Sequence, residues 1–320
     1  MAYKLKDIKE ENLKGPERKA KAHLIAQSPN MRPLELVDYS FFLYLAMIFL
    51  LIAYFSRKTS ITLWHLSIHG GYFAMGALIL LMNARRPNGV TFFCRTWYVP
   101  FLYVFLFEEV GQLIHLFRPI MFDHWVVSLE NSVFGGYPTA WLQGMANPWI
   151  TEVMSLFYMT YYFLIPVLGF MFYFGRELNP LNDFIFTTSI TFFFCFLHYL
   201  AMPVAGPIFL PQVLPFPLVL LQGGPLTRFE QWLFFKGAIQ GGAFPSSHVA
   251  VAVVVLFFAI RYGKYAYAFA LTITGLAIST VYNGYHYGVD VIYGIGVGLV
   301  FSLVCPWVNR AWRSASVSKR

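Results

Sequence analysis

The sequence predicts an all-α integral membrane protein with about eight transmembrane helices. Three observations predict it. Of the 320 residues, 58% are hydrophobic and 12% charged, where a soluble domain carries about a quarter charged residues. Apolar runs of bilayer length recur along the chain; a helix rises ~1.5 Å per residue through a hydrocarbon core ~30 Å thick, so ~20 apolar residues make one crossing. The Lys and Arg residues gather in alternate connections between those runs, as in a chain with a fixed orientation across a membrane.

In chain order, residues 1–37 form a polar arm with eight Lys and Arg, expected in the cytoplasm, either solvated or lying on the lipid surface. No cleavable signal peptide is expected, because the first apolar run starts only near Asp38. Spans follow at about 38–55, 61–84, 97–117, 151–174, 182–202, 246–261, 264–283 and 288–309, and residues 310–320 make a second cytoplasmic tail. With both termini inside, the inner segments carry 18 Lys and Arg and the outer ones 5, which favours this orientation. The net charge of +8 thus serves membrane topology, and nucleic acid is not an expected partner. Cys94, Cys195 and Cys305 are too scattered for a disulfide framework or a metal cluster. His65 and His69 share a helix face without a third ligand, so no metal is expected there either.

Two long connections, 119–150 and 203–244, fall on the outer side and suit either lids or connectors. In the second, Thr227–Lys236 mixes aromatic and charged residues as an amphipathic helix in the headgroup layer does. Within the third span, Glu108 and Glu109 need interior partners, with Gln112 or His115 one turn on as candidates.

Chemistry concentrates between Gly241 and Asp290. Pro245-Ser246-Ser247-His248 opens a span. Proline suits the first helical position, and the free N–H groups of a helix start, with two serine hydroxyls, make an anion site. His286 and Asp290 are spaced i, i+4, so that on a helix the carboxylate can accept the Nδ1–H of the imidazole and leave Nε2 free as a nucleophile. Two spans separate the clusters, so both histidines face one side of the membrane, the outer side by the charge count. Each cluster alone also suits a structural role, as a capped helix start or a buried His–Asp pair. Together they make a phosphoryl-transfer constellation: His286 attacks phosphorus, and His248 protonates the leaving oxygen and then deprotonates the acceptor.

The stretches GAFPSSH and STVYNGYHYGVDVIYG resemble the type 2 phosphatidic acid phosphatase (PAP2) superfamily. The resemblance covers roughly Tyr98 to Trp307 and implies a PAP2-like six-helix catalytic domain at 97–309, with two additional transmembrane helices at 38–96. It implies a phosphohistidine mechanism with neither metal nor organic cofactor, with His286 as nucleophile, His248 as acid and base and Asp290 as the orienting carboxylate. Arg118, Ser246, Ser247 and Thr280 stand where the family binds phosphate. His198, Arg228, Lys236 and Asp123 are candidates to line the substrate pocket, and Glu130, in the same loop as Asp123, is a further candidate for substrate contact.

The departures from the family pattern are specific. Arg118-Pro119 occupies the Arg-Pro position, but the lysine expected seven residues earlier is Gly111; Thr280 replaces an arginine and Ser247 a glycine. This pattern resembles the branch of inositolphosphorylceramide synthases. A phosphate monoester carries nearly two charges near neutral pH and a diester one, so a site poorer in cations suits a diester. The expected function is a membrane lipid phosphatase or headgroup phosphotransferase at the extracytoplasmic face. Alternatives are a monoesterase in which Arg228, Lys236 or His198 restores the charge, a transporter or channel using the histidines as a proton relay, and a catalytically dead binding protein on the same fold. No broken helix is legible in the sequence to favour transport.

Overall fold

The computed structural model describes residues 34–55, 62–118 and 120–317. The expected N-terminal arm up to residue 33, Arg57, Lys58, Pro119 and the last three residues of the tail lie outside these. Twelve α-helices follow in order among the described residues: α1 (Leu36–Phe55), α2 (Thr62–Arg85), α3 (Gly89–Phe117), α4 (Asp123–Phe134), α5 (Pro138–Gln143), α6 (Pro148–Met159), α7 (Tyr161–Phe174), α8 (Leu178–Ala201), α9 (Pro225–Gly237), α10 (Ser247–Arg261), α11 (Ala266–Tyr282) and α12 (Gly288–Val317). One isolated β-bridge joins Val204 to Gly242.

The eight apolar runs all become helical, but they do not make eight equal crossings. The helices α1, α2, α3, α8 and α12 are long and apolar enough to cross a bilayer, and α6 with α7 makes a sixth crossing if the bent pair is one span. Helices α10 and α11 are shorter, at 15 and 17 residues. The run at 151–174, continuous in sequence, breaks at Thr160 with a 40° bend. There the Thr160 hydroxyl donates to the Phe157 carbonyl at 2.5 Å, a local bond that competes with the helical ladder.

Helix α8 forms the centre, packing against α1, α3, α7, α10 and α12 with most of its side chains buried. The two extra helices lie on α3, and α1 also reaches α8. Polar pairs tie them in. Arg95, counted in a connection by sequence, instead lies inside α3 because Asn88 caps that helix earlier than the apolar run begins. It forms a buried ion pair with Asp38, whose other oxygen accepts the Tyr98 hydroxyl at 2.6 Å. Glu109 pairs with His69 of α2 at 3.1 Å, and not with Gln112 or His115; the His69 Nε2 lies 2.6 Å from the Leu45 carbonyl. In lipid such groups need partners inside the bundle.

The most extensive helix contact is α10 against α12, and small residues permit it. A Cβ at Gly294 would come within 2.6 Å of the Ser246 carbonyl, and one at Gly298 closer still to that of Ala250. Two glycines four apart let the backbones touch, as at the tightest crossings in membranes. The Ser246 N–H then donates to the Asp290 carbonyl at 3.2 Å.

Filling the α10–α12 contact with Gly298→Leu is expected to cost about 1–3 kcal/mol through overpacking, read as a lower thermal midpoint in detergent. Arg95→Leu, which removes the cation paired with the buried Asp38, is expected to cost about 3–5 kcal/mol, and adding Asp38→Leu to restore most of it. Thermal unfolding of the two single variants and the double variant checks this.

Candidate active site

The two histidines sit on structures that their neighbours in sequence explain. Helix α11 ends at Asn283–Gly284, with Gly284 at φ 73°. The Gly284 N–H donates to the Val281 carbonyl and the Tyr285 N–H to that of Thr280, both at 3.0 Å. This is the left-handed helix stop that glycine favours. The His286 N–H shares the Thr280 carbonyl at 3.1 Å, so the imidazole projects from a loop pinned to the end of α11. His248 is the second residue of α10, whose N-cap is Ser246.

Three bonds connect the rings in one line. The His286 Nδ1 lies 2.8 Å from the Ala243 carbonyl, the His286 Nε2 lies 3.3 Å from the His248 Nδ1, and the His248 Nε2 lies 3.2 Å from the Tyr158 hydroxyl. The Tyr161 ring lies against His248 with centroids 4.2 Å apart. The Ala243 carbonyl is itself fixed, because the Ala243 N–H donates to Val204 at 2.8 Å and the Val204 N–H to Gly241 at 3.2 Å. His286 is almost wholly buried, and burial pulls its imidazole down to about 4, opposed by the Ala243 carbonyl. A neutral ring whose Nδ1–H donates to the Ala243 carbonyl carries its lone pair on Nε2.

Several expected roles change. His286 precedes α12 and is not helical, so the i, i+4 spacing does not bring Asp290 to it along one helix face. The Asp290 carboxylate stands 3.5 Å from Nδ1, farther than the Ala243 carbonyl. It sits at the third position of α12 and accepts the Tyr287 N–H at 2.8 Å, as the carboxylate of a capping box does. Pro245 lies ahead of the N-cap, not at the first helical position. The helix start offers less free donor capacity than expected: the Ser246 N–H is taken by Asp290, the Ser247 N–H by the Tyr199 hydroxyl at 3.3 Å and the Val249 N–H by the Ser246 hydroxyl at 3.4 Å. Ser246 and Ser247 are both buried. The Thr280 hydroxyl turns back to the Ala277 carbonyl at 2.8 Å. Capping chemistry and anion-binding chemistry use the same groups, which is why the sequence reading merged them.

Asp123 is buried and engaged by the protein itself. Its two oxygens accept the Ala205 and Gly206 N–H groups at 2.9 Å each, and one also takes the Tyr287 hydroxyl at 3.0 Å. Glu130 accepts the Gly288 N–H at 3.2 Å, and burial pushes its carboxyl up to about 8 against that bond. Two residues of the first long connection thus hold the start of α12. Arg118 ends α3 as an exposed side chain, and Arg228 and Lys236 lie on the exposed face of α9. His198 packs on Phe244 and Tyr293, with centroids 5.4 and 5.7 Å away. The hydrogen bonds of both histidines go to each other, to Tyr158 and to Ala243, and none involves a Lys or Arg. The position of the absent lysine is sterically closed, since a Cβ at Gly111 would come within 2.7 Å of the Ile239 Cβ.

The sequence reading missed Tyr158, Tyr199, the Ala243 carbonyl and Glu230. Glu230 is buried on α9 and accepts the Tyr285 hydroxyl at 2.9 Å; burial pushes its carboxyl up to about 7, opposed by the Tyr285 and Ser155 hydroxyls. Tyr285 stacks on Phe234 with centroids 3.6 Å apart and meets Tyr158 edge-on at 5.0 Å. A lone acidic residue on the buried face of an amphipathic helix was the only available signal; an aromatic run such as Phe157-Tyr158-Met159-Thr160-Tyr161 gives none. Among the described residues no group of three or more His, Cys, Asp or Glu is arranged to hold a metal.

No curated protein and no solved structure matches the chain. A family model does: the PAP2 superfamily model matches residues 124–304. That segment begins beside Asp123, takes in both histidines, Tyr158 and Asp290, and ends in α12. It covers more than half of the sequence and points to phosphatase-type phosphoester chemistry on lipids. This all-helical membrane protein belongs to the PAP2 superfamily.

Proposed function

We propose that the protein is a lipid phosphoesterase working through a phosphohistidine on His286, at the extracytoplasmic face, with a phospholipid diester as donor and a lipid hydroxyl or water as acceptor. One observation carries the reading. The His286 ring is held through Nδ1 by a backbone carbonyl, and its unprotonated Nε2 faces a second imidazole at 3.3 Å.

In the first step the Nε2 lone pair attacks phosphorus and the bond to the leaving oxygen breaks, while the protonated His248 gives its Nδ1 proton to that oxygen. In the second step the acceptor oxygen attacks phosphorus, His248 takes its proton and the phosphorus–nitrogen bond breaks. A phosphoryl group needs an approach of about 3–3.5 Å to the nucleophile, so the two rings must part to admit it between them. Asp290, Asp123 and Glu130 act by holding the loop that carries His286.

The diester reading rests on charge. Neither histidine is bonded to a Lys or Arg, the lysine position is filled by Ile239, and Thr280 spends its hydroxyl within its own helix. A singly charged phosphodiester demands less fixed positive charge than a monoester. The location rests on the distribution of Lys and Arg, 18 to 5 by sequence and 17 to 5 once Arg95 is left out as part of α3, which favours cytoplasmic termini.

Incubation of the purified protein with a panel of phospholipids, phosphatidic acid among them, followed by mass spectrometry of the products, tests the reading. Headgroup transfer or diester cleavage is expected, lost on the order of 10³-fold or more in His286→Ala. Rapid phosphate release from phosphatidic acid without diester turnover contradicts the diester reading, and unchanged turnover in His286→Ala removes the nucleophile. The acid limb of kcat/KM for a diester is expected near pH 4: protonation of His286 abolishes attack, and burial holds that protonation down to about 4. A limb at the ordinary histidine value of about 6.5 would contradict it.

A further inference from the structure

We infer that Tyr158 is a positioning residue for proton transfer, acting through His248, and that its hydroxyl fixes which nitrogen of that ring faces the reacting phosphate. The inference rests on the phosphohistidine reading above and adds a residue to it.

The direction of the hydrogen-bond line follows from its fixed end. The Ala243 carbonyl can only accept, so the neutral His286 carries its proton on Nδ1 and presents a lone pair at Nε2. The group facing that lone pair at 3.3 Å must donate, which puts the proton of a neutral His248 on Nδ1. The His248 Nε2 is then an acceptor, and the Tyr158 hydroxyl at 3.2 Å is its donor. One backbone carbonyl thereby sets the tautomers of two histidines, and Tyr158 closes the line at its far end.

In the resting site the alternative tautomer, with the proton on Nε2, sets the lone pairs of the His248 Nδ1 and the His286 Nε2 against each other. When His248 takes a second proton, its Nε2–H donates to the Tyr158 oxygen. A phenol hydroxyl serves as donor in one state and acceptor in the other, so it holds the ring in register through both halves of the reaction. No proton is lost from Tyr158 in either state. Its place is rigid: Tyr158 is 2% exposed, and its ring is packed by Phe234, Tyr285 and His248. The break at Thr160 follows directly, so the first turn of α7 sets Tyr161 on the same imidazole.

The test compares two phosphodiester lipids that share one phosphoryl moiety, one with an alkyl alcohol as leaving group and one with 4-nitrophenol, which departs without needing a proton. With the full chain in detergent, Tyr158→Phe is expected to lower kcat on the alkyl ester by about 10–100-fold with little change in KM, and on the nitrophenyl ester by about 2-fold or less. His248→Ala should show the same contrast, and the double variant should be no worse than His248→Ala alone. Equal losses on both esters, or no loss on the alkyl ester, would overturn the assignment. If His286→Ala abolishes turnover while Tyr158→Phe leaves it intact, only the role of Tyr158 falls; if His286→Ala is active, the phosphohistidine reading falls with it. The tautomers can also be read without any variant at Tyr158. Imidazole nitrogen-15 NMR of the wild-type chain, assigned with His248→Gln, is expected to show His248 protonated on Nδ1 at neutral pH, and protonation on Nε2 would overturn the inference.

Discussion

The close approach of α10 to α12 is the constraint on which the site depends. Gly294 and Gly298 remove the side chains that would separate the two backbones, and the space gained is used at the ends of the helices. There the N-cap of α10 and the first turn of α12 share a backbone hydrogen bond, Ser246 to Asp290. His248 lies two residues beyond that bond on one side and His286 four residues before it on the other, so the helix contact sets the 3.3 Å between their rings. In a bilayer the apolar faces gain little from meeting each other rather than lipid, and close packing with internal hydrogen bonds must supply the specificity.

Around that contact the long connections serve as scaffold. Asp123 and Glu130 from α4 hold the loop at 203–206, Tyr287 and the start of α12. Glu152 accepts the N–H groups of Gly224, Leu226 and Thr227 and so fixes the start of α9 on α6. Carboxylates at helix starts are favourably placed, since the N-terminal end of a helix carries partial positive charge. Asp123 and Glu130, candidates for substrate contact in the sequence, thus shape the shelf on which His286 sits.

Much of the fold was legible because lipid imposes a local rule. A crossing helix must be apolar over a bilayer's width, and all eight apolar runs are helical. What was not legible was tertiary. The break at Thr160 depends on a side-chain hydroxyl, and Arg95 looks like a connection residue until Asp38 is found beside it. In the site, the two histidines stood out because polar residues at span ends on one side are rare. Their actual partners did not: a backbone carbonyl has no sequence signature, and Tyr158 is one of 20 tyrosines. Asp290 does come within 3.5 Å of the His286 Nδ1, but from a helix start to the loop before it and not along one helix face, and the nearer Ala243 carbonyl was not foreseeable.

The central claim is that His286 forms a covalent bond to phosphorus. The direct measurement is acid-free rapid quenching of the protein with a phosphorus-labelled diester, followed by peptide mass spectrometry. The account predicts a phosphorylated imidazole at His286, formed and consumed at the rate of turnover and absent from His286→Ala. Turnover at full rate with no adduct on His286, or with the label on another residue, would contradict it.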